Sequence, residues 1–182
     1  MHTETNSARA IWLTGYSGAG KTTIANILRD TLVARGTACV VLDGDVLRRG
    51  LCSDLGFSAS DRAENIRRVS EVARLVVDSN QTAIVALISP FRADRDLARA
   101  KFAPRQFVEV FVDTPLSVAE ARDVKGLYRR ARQGLLPQFT GIDSPYEVPL
   151  SAEICVDTTA ASAPLCAQKI VRWLEHAAAD SD

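Results

Sequence analysis

The amino-acid sequence predicts an α/β fold, a doubly wound and mostly parallel β-sheet with helices on both faces. Short runs of β-branched and aliphatic residues recur at wide intervals, and the stretches between them carry apolar residues at the helical period. Connections of that length join parallel strands through crossover helices, which cover both faces of the sheet. With 182 residues, the chain has room for one domain with a buried core.

Five short runs are predicted as strands buried on both faces, because a strand covered by helices on either side is apolar throughout. These runs are Ala10 to Thr14, Cys39 to Asp43, Ala83 to Ile88, Gln106 to Val112 and Ile154 to Asp157. Between them, apolar stripes mark one buried face of each helix. The clearest stripes are Ile24, Ile27, Leu28 and Leu32; Ile66, Val69, Val72, Ala73, Val76 and Val77; and Cys166, Ile170, Trp173 and Leu174, with Ser162 as the expected N-cap before Pro164.

The stretch from Arg122 to Pro149 interrupts the alternation, since it is rich in Gly, Pro and basic residues and contains no convincing strand. It is longer than most structureless connections in compact domains, which favours a functional lid over a linker. We therefore expect a flexible N-terminus over residues 1–9 and a single domain over residues 10–178, with the lid at about 122–149.

The balance of charge argues against nucleic-acid binding. The chain has 22 basic and 22 acidic residues, whereas a nucleic-acid-binding protein needs an excess of Lys and Arg to replace counterions on phosphates. No apolar run approaches the roughly 20 residues that span a bilayer, and Met1 to Arg9 lacks the apolar stretch of a signal peptide. We expect a cytoplasmic protein. Its scattered cysteines, without metal-ligand spacing, are expected to be reduced thiols: Cys39, Cys52, Cys155 and Cys166.

A glycine-rich motif follows the first predicted strand and precedes a helical stripe. Residues 15–22 match the pattern G-x-x-x-x-G-K-[ST], in which backbone N–H groups at a helix N-terminus bind phosphate oxygens. Lys21 adds a cation toward the outer phosphates, and the Thr22 hydroxyl is placed to ligate Mg²⁺. The motif predicts binding of a nucleoside triphosphate with Mg²⁺, and by itself no particular reaction. The predicted nucleotide-binding residues are Gly15, Tyr16, Ser17, Gly18, Ala19, Gly20, Lys21, Thr22 and Thr23.

Two carboxylates, Asp43 and Asp45, stand at the end of the second predicted strand, which we expect to neighbour the glycine-rich loop. One carboxylate could hold Mg²⁺ and the other could accept the proton of an attacking hydroxyl. The alternative is a solvated Asp-Gly turn, a common motif. The adjacent phosphate-binding loop favours the catalytic interpretation.

Arginines are dense in the next segment, at Arg48, Arg62, Arg67 and Arg68. An Arg fork suits phosphate or sulfate oxygens, so these residues predict an anionic acceptor. For Arg67 and Arg68, ordinary charge on a helix surface is an equal alternative, since Glu64 lies one turn before Arg68.

The order of motifs resembles the adenylylsulfate (APS) kinase family of P-loop kinases over about residues 11–175. The resemblance rests on GYSGAGKTT, LDGD, DLGFS, DRAENIRR, ISPFRADRD, FVEVFVDTP, ARDVKGLY and FTGIDSPYE. It implies an ATP-dependent enzyme of sulfate assimilation that phosphorylates the ribose 3′-hydroxyl of adenylylsulfate, giving 3′-phosphoadenylylsulfate and ADP. It also suggests a homodimer and allows an ATP sulfurylase partner.

The resemblance implies roles for individual residues. Phe57 and Phe139 would sandwich the acceptor adenine, an arrangement suited to offset stacking. Asp45 would steer the 3′-hydroxyl, and Asp43 would serve Mg²⁺ together with Thr22, although the order of the two aspartates stays open. The other residues implied to contact adenylylsulfate are Arg48, Arg62, Asn65, Ile88 through its backbone, Ser89 and Lys125.

Two further regions carry implied functions. Ser89 matches a serine described in the family as a phosphoserine intermediate, but direct in-line transfer needs no covalent enzyme step, and we favour a hydroxyl that binds substrate. Cations of the segment from Arg122 to Arg130, including Lys125, would close over the transferring phosphoryl group, and Arg122 is predicted to bind ATP. A solvated helix face is the alternative for Arg129 and Arg130.

The sequence departs from the family pattern at three places, all on the acceptor side: Val46 and Cys52 replace Asn, and Pro137-Gln138 replaces a Lys. Three other functions compete with the kinase. A GTPase switch would need an Asn/Thr-Lys-x-Asp element, and no Lys here is followed two positions later by Asp. A P-loop kinase with another acceptor would lack this acceptor pocket, and a non-catalytic nucleotide-binding module has no need of intact Lys21, Thr22, Asp43 and Asp45.

Overall fold

A five-stranded parallel sheet forms the centre of the protein in the computed structural model, which describes residues 8–179. The strands are β1 (Ala10–Thr14), β2 (Cys39–Asp43), β3 (Thr82–Ala86), β4 (Phe107–Asp113) and β5 (Ile154–Asp157). Their order is β2-β3-β1-β4-β5, and each neighbouring pair is parallel. The predicted fold class is confirmed.

Helices cover both faces of this sheet. Within the described residues they are α1 (Lys21–Ala34), α2 (Gly44–Leu47), α3 (Ala59–Asp78), α4 (Arg92–Arg99), α5 (Leu116–Arg122), α6 (Leu127–Arg132) and α7 (Ala163–Ala179). Strand β1 shows how the two layers are divided, because its side chains alternate between faces. Ile11 and Leu13 lie in the buried cluster that contains α1 and α7, whereas Ala10 and Trp12 lie in the cluster that contains α3 and α4.

Strand β3 pairs with both β1 and β2 and lies between them. β2 is therefore an edge strand, as β5 is on the other side. Both edge strands are only partly buried, so the expectation of strands buried on both faces holds for β1, β3 and most of β4. All strands still end at the same edge of the sheet, since they are parallel, and ligands of such sheets bind at that edge.

Strand β3 ends earlier than predicted, at Ala86 rather than Ile88. The five residues that follow leave the sheet before α4 begins at Arg92, and Thr14 Oγ1 donates a hydrogen bond to Ile88 O at 2.7 Å. Apolar character alone extended the predicted strand into this loop. The loop brings Ile88 and Ser89 to the edge of the sheet where β1 ends.

The segment over residues 122–149 is more ordered than its composition predicts. It contains α6, and an isolated β-bridge joins Thr140 to Ser144. Tyr128 and Phe139 are buried in a small cluster of their own with Ala119 and Ala131. The segment thus has local structure, and its behaviour as a lid stays a prediction.

The described chain begins at Ala8, so residues 1–7 of the predicted flexible N-terminus lie outside the described residues. Ala8 and Arg9 are buried, and Arg9 Nη1 donates to Leu174 O at 3.4 Å. Among residues 8–179, no helix combines the length and the apolar character that crossing a membrane requires.

Candidate active site

The glycine-rich loop leaves the end of β1 and enters α1. Gly15 adopts φ +149°, and a Cβ at that position would lie 2.6 Å from Val112 O, so only glycine fits there. Gly20 caps α1 with φ 100°. This geometry places the loop at the N-terminus of a 14-residue helix, where free backbone N–H groups and the helix dipole favour a phosphate.

Lys21 is buried against the loop that precedes it. Its Nζ donates to Gly15 O at 2.9 Å and to Tyr16 O at 2.7 Å. Burial, together with the smaller effect of the nearby charge of Lys125, lowers the pKa of Lys21 to about 7. The ammonium group therefore gains from any anion that enters beside it.

Asp43 at the end of β2 contacts Thr22 in the first turn of α1, although β3 lies between β2 and β1. Thr22 Oγ1 donates to Asp43 Oδ2 at 2.6 Å, and Asp43 Oδ1 accepts from Asp45 N at 2.9 Å as the N-cap of α2. Gly44 follows, where a Cβ would lie 2.6 Å from Leu87 Cδ2, so the tight approach of this turn to the β3 loop needs a glycine. The Asp-Gly turn thus packs against the β3 loop and lines a pocket, and the catalytic role of its carboxylates stays a prediction.

Asp45 points to a different partner. Its Oδ2 forms an ion pair with Lys125 Nζ, and the two side chains are about half exposed. The contact joins the turn after β2 to the segment over residues 122–149. The two aspartates are therefore divided between the phosphate loop and the predicted lid.

Arg48 and Arg62 both hold the backbone that carries Phe57. Arg48 Nη1 donates to Gly56 O at 2.9 Å, and Arg62 Nε donates to Phe57 O at 2.9 Å. The Arg48 guanidinium also lies 4.5 Å from the centroid of the Phe57 ring. Burial lowers the pKa of each guanidinium. These arginines shape the wall of the site as well as supplying its positive charge.

Phe139 and Asn65 complete the same wall. Arg62 Nη2 donates to Gln138 O at 2.7 Å, so one arginine ties together the segments that carry the two phenylalanines. Phe139 is buried with its ring edge-on to Tyr128. Asn65 is also buried, and within the described residues its Oδ1 has no hydrogen-bond partner, which leaves it available to a ligand donor.

Ser89 lies in the loop after β3 with φ 47°, an uncommon conformation for a residue other than glycine. It is 3% exposed, and its Oγ accepts a hydrogen bond from Trp12 Nε1 at 2.9 Å. Trp12 is a functional neighbour that sequence analysis missed, because an apolar residue within a buried strand gives no sign of a polar role.

One cavity of about 570 Å³ joins these groups. Sixteen predicted site residues line it: Ser17, Gly18, Gly20, Lys21, Thr22, Thr23, Asp43, Asp45, Arg48, Phe57, Arg62, Asn65, Ile88, Ser89, Lys125 and Phe139. Four others do not: Gly15, Tyr16, Ala19 and Arg122. Ala19 is fully buried, and the Tyr16 ring packs on Tyr146. These side chains therefore support the phosphate loop from behind.

Arg122 lies beside the phosphate loop and outside the cavity. Its Nη2 donates to Thr158 O at 2.9 Å and its Nη1 to Thr158 Oγ1 at 3.1 Å. Thr158 follows β5 at the ligand-binding edge, a position that could have drawn attention to it. Arg130, for which a solvated helix face was the alternative, lines the cavity.

Arg67 and Arg68 lie away from the cavity. Arg67 Nε pairs with Glu64 at 2.6 Å, and Arg68 Nη1 pairs with Asp54 at 2.6 Å. Arg68 Nε also reaches Glu64 at 2.9 Å. The alternative of ordinary helix-surface charge is the correct one for both.

The parallel sheet, the glycine-rich loop with Lys21 and Thr22, and the carboxylates that face them define a P-loop kinase. The chain belongs to the adenylylsulphate kinase family, whose family model matches residues 7–157.

Three relatives give the extent of the similarity. The adenylyl-sulfate kinase of Burkholderia ambifaria is 60% identical over 164 residues, which are 90% of this chain and 91% of that protein. The structure of the Mycobacterium tuberculosis APS kinase CysC in complex with AMPPNP and APS superposes with a TM-score of 0.89 at 45% identity, covering 93% of this chain and 98% of that one. The bifunctional enzyme CysN/CysC of Xylella fastidiosa is 60% identical over 146 residues, which are 80% of this chain and 23% of that protein.

Proposed function

We propose that this protein is an adenylylsulfate kinase, which transfers the γ-phosphate of ATP to the 3′-hydroxyl of adenylylsulfate. The observation that carries the proposal is the single cavity, which is lined by the phosphate loop and by the arginines and aromatic residues of the acceptor wall. Phosphoryl transfer depends mostly on positioning and on electrostatic stabilisation, and both require that donor and acceptor share one enclosed space. The family and its named relatives support the same activity.

The donor binds at the phosphate loop. Backbone N–H groups at the start of α1 receive the phosphates, and Lys21 turns from the carbonyls of Gly15 and Tyr16 to the phosphate oxygens. Because the pKa of Lys21 is near 7, an anion beside it restores the fully charged form. Lys21 then balances the charge on the transferring group.

The residues present fit a Mg²⁺ ion bound with the nucleotide. The Thr22 hydroxyl and the Asp43 carboxylate are hard oxygen donors in direct contact, and the described residues contain no cluster of three or more His, Cys, Asp or Glu. A site with few protein ligands suits Mg²⁺, which keeps several waters and binds phosphate oxygens. When bound, the ion would neutralise charge on the phosphates.

The acceptor binds against the wall that Arg48 and Arg62 hold in place. The adenine lies between Phe57 and Phe139, and the buried Asn65 offers its unpaired Oδ1 to a donor on the substrate. The Arg48 guanidinium lies 4.5 Å from the centroid of the Phe57 ring and so covers one ring face. The adenine therefore stacks on the opposite face, or Arg48 moves toward the phosphosulfate and exposes the covered face. The Ile88 backbone and Ser89 border the same pocket.

Asp45 is the residue that accepts or orients the 3′-hydroxyl proton. Its ion pair with Lys125 places a carboxylate and a lid cation at one point in the cavity. On substrate binding Lys125 exchanges Asp45 for the transferring phosphoryl group, which frees the carboxylate to receive the hydroxyl. Closure of residues 122–149 then excludes water and suppresses hydrolysis of ATP.

Ser89 contributes a hydrogen bond and no covalent step. Its Oγ already accepts the Trp12 indole N–H, so the hydroxyl proton is the part free to meet substrate. A nucleophilic serine needs a base within hydrogen-bond reach. The Trp12 indole N–H is only a donor, and no basic side chain of the described residues forms a hydrogen bond with Ser89 Oγ.

Two assemblies are also proposed. The resemblance to the family favours a homodimer, which light scattering on the purified protein would measure directly. A bifunctional relative, of which a 60% identical segment forms part, supports an ATP sulfurylase as a partner. Co-elution of the two proteins would test that association.

The activity is tested with a panel of acceptors. The purified protein is mixed with ATP and Mg²⁺ and then with adenylylsulfate, adenosine monophosphate, gluconate or no acceptor. ADP and phosphorylated products are quantified by chromatography. We expect one equivalent of 3′-phosphoadenylylsulfate per ADP with adenylylsulfate and little product otherwise.

Each rival function gives a different result in this assay. Phosphorylation of another alcohol would identify a kinase of different specificity. In a parallel incubation with GTP in place of ATP, hydrolysis without acceptor would identify a switch protein. ATP binding without any transfer would leave a non-catalytic module.

A further inference from the structure

Arg95 is a buried cation that no part of the proposed mechanism uses. It lies in α4, its side chain is 2% exposed, and it stands outside the cavity. Three of its nitrogens donate to three different chain segments. Nε donates to Glu109 Oε1 at 2.7 Å, Nη1 to Ser89 O at 2.6 Å and Nη2 to Glu147 O at 2.7 Å.

The pairing with Glu109 does not by itself explain this arrangement. A buried ion pair is weak evidence for stability, because removing both charges from water offsets their attraction. Glu109 also forms an ion pair with Arg99, whose Nη2 lies 3.2 Å from Glu109 Oε2. What Arg95 alone provides is the link from Glu109 on β4 to two backbone carbonyls near the active site.

The first carbonyl belongs to Ser89, whose backbone is in the left-handed region. That conformation is costly for a serine and persists only where surrounding contacts hold it. Trp12 donates to the Ser89 side chain, Thr14 donates to Ile88 O and, at 3.4 Å, to Ser89 O, and Arg95 makes the shorter bond to Ser89 O at 2.6 Å. Since Ile88 and Ser89 line the cavity, these contacts fix one edge of the acceptor pocket.

The second carbonyl belongs to Glu147, near the C-terminal end of the predicted lid. Glu147 N donates to Pro90 O at 2.8 Å, so this end of the segment is bonded to the loop that contains Ser89. The neighbouring Tyr146 hydroxyl lies 2.9 Å from Thr14 Oγ1, and its ring lies 5.9 Å from the Arg95 guanidinium. One guanidinium thus joins the pocket edge to the base of the lid.

We propose that Arg95 is a positioning residue for phosphoryl transfer. By donating hydrogen bonds to Ser89 O and Glu147 O, it fixes the position of the Ser89 loop relative to the C-terminal end of the predicted lid. The inference rests on the proposed function. Its consequence is that loss of Arg95 misplaces the acceptor more than the donor, because neither carbonyl that Arg95 holds belongs to the phosphate loop. Small displacements of a bound reactant can lower the rate about 100-fold.

The test compares Arg95→Met and Arg95→Lys with a matched control, Arg99→Met. Arg99 is on the same helix and pairs with the same Glu109, but its other contacts are Glu153, at 2.5 Å, and Phe107, neither of which lines the cavity. Steady-state constants for ATP and for adenylylsulfate are measured for each variant, together with AMPPNP binding and thermal unfolding.

For Arg95→Met we expect kcat/KM for adenylylsulfate to fall about 100-fold while the affinity for AMPPNP stays within about twofold. Arg95→Lys recovers part of the loss, because it keeps the charge beside Glu109 but cannot reach all three acceptors. Arg99→Met stays within about threefold of the wild type, since a partly exposed pair contributes little.

The proposal is overturned if Arg95→Met behaves like Arg99→Met, or if its binding of AMPPNP and its use of adenylylsulfate fall together, as a purely structural role would require. Should Arg95→Met fail to fold, Arg95→Lys decides the matter, and wild-type kinetic constants in that folded variant would equally overturn it. Failure of the proposed function is distinct, because then the wild type itself shows no turnover with adenylylsulfate.

Discussion

The phosphate end of the cavity is made largely from backbone, and the acceptor end is made from side chains. At the phosphate end, consecutive residues between β1 and α1 supply the binding groups, and the special φ of Gly15 and Gly20 fixes their direction. At the acceptor end, Arg48, Phe57 and Phe139 come from separate segments that arginine–carbonyl hydrogen bonds tie together. The first end can be recognised from a short motif, whereas the second depends on tertiary contacts.

The largest expected effect on phosphoryl transfer comes from replacing Asp45, which lies between the phosphate end and the acceptor end of the cavity. In Asp45→Asn, transfer to adenylylsulfate falls by about 10²–10⁴-fold, because the amide cannot accept the hydroxyl proton. The affinity for AMPPNP stays close to that of the wild type, since Asp43 remains beside Thr22. Single-turnover kinetics and calorimetry measure the two quantities. Unchanged transfer would remove Asp45 from the catalytic residues.

The acceptor end is tested alone by Phe57→Ala. Loss of base stacking, about 1–3 kcal/mol, raises KM for adenylylsulfate roughly 5- to 150-fold and leaves KM for ATP unchanged. Phe57 is 45% exposed, so the free energy of unfolding changes little. Leu51→Ala is the matched control, because Leu51 is equally exposed and does not line the cavity. Equal kinetic effects in the two variants would exclude a stacking role.

The phosphate end is tested alone by pH. In the free protein Lys21 loses its proton near pH 7, and bound phosphate raises its pKa. Above pH 7 nucleotide binding is therefore coupled to proton uptake, and the affinity for AMPPNP weakens by up to about tenfold per pH unit. Below pH 7 this dependence disappears, since Lys21 is already charged.

Calorimetry in buffers with different ionisation enthalpies measures the proton uptake. The control is Lys21→Arg, which keeps its charge throughout this range and so reports only the ionisation of the nucleotide. Identical pH profiles for the wild type and Lys21→Arg would contradict a titrating Lys21.

The smallest effect is expected at Ser89. Ser89→Ala lowers kcat less than about tenfold, because the hydroxyl supplies a hydrogen bond of about 1 kcal/mol and no covalent step. It also leaves the buried Trp12 indole N–H without its acceptor, which lowers stability by about 1–3 kcal/mol. Kinetics and thermal unfolding measure both changes. A loss of activity above 10³-fold with intact folding would favour a nucleophilic serine.

The same contrast explains what the sequence could predict. Periodicity and the glycine-rich motif were sufficient for the fold class, the helix stripes and the phosphate loop, because each depends on neighbours in the chain. Periodicity and motifs could not predict the order of β2 and β3 in the sheet, since no local pattern specifies which strand lies next to β1. The early end of β3 was missed for a related reason, because Leu87 and Ile88 are apolar whether they lie in a strand or line a pocket.

On the acceptor side, the residues came from family resemblance and the geometry came from the fold. Resemblance named Arg62, but only the structure shows it bonded to Phe57 O and Gln138 O. Trp12 and Arg95 were missed because a buried strand residue and a helix arginine have no local signature of a site. The departures from the family also differ in position: Val46 is 63% exposed, whereas Cys52 is buried.

The central claim is that donor and acceptor meet in one cavity and that the phosphoryl group passes directly between them. A rapid-quench single turnover with γ-³²P-labelled ATP, Mg²⁺ and adenylylsulfate tests it most directly. We expect label to leave ATP and to appear in 3′-phosphoadenylylsulfate at the same rate, with no labelled protein at any time. A transient phosphoprotein that decays into product, or loss of ATP without labelled 3′-phosphoadenylylsulfate, would contradict it.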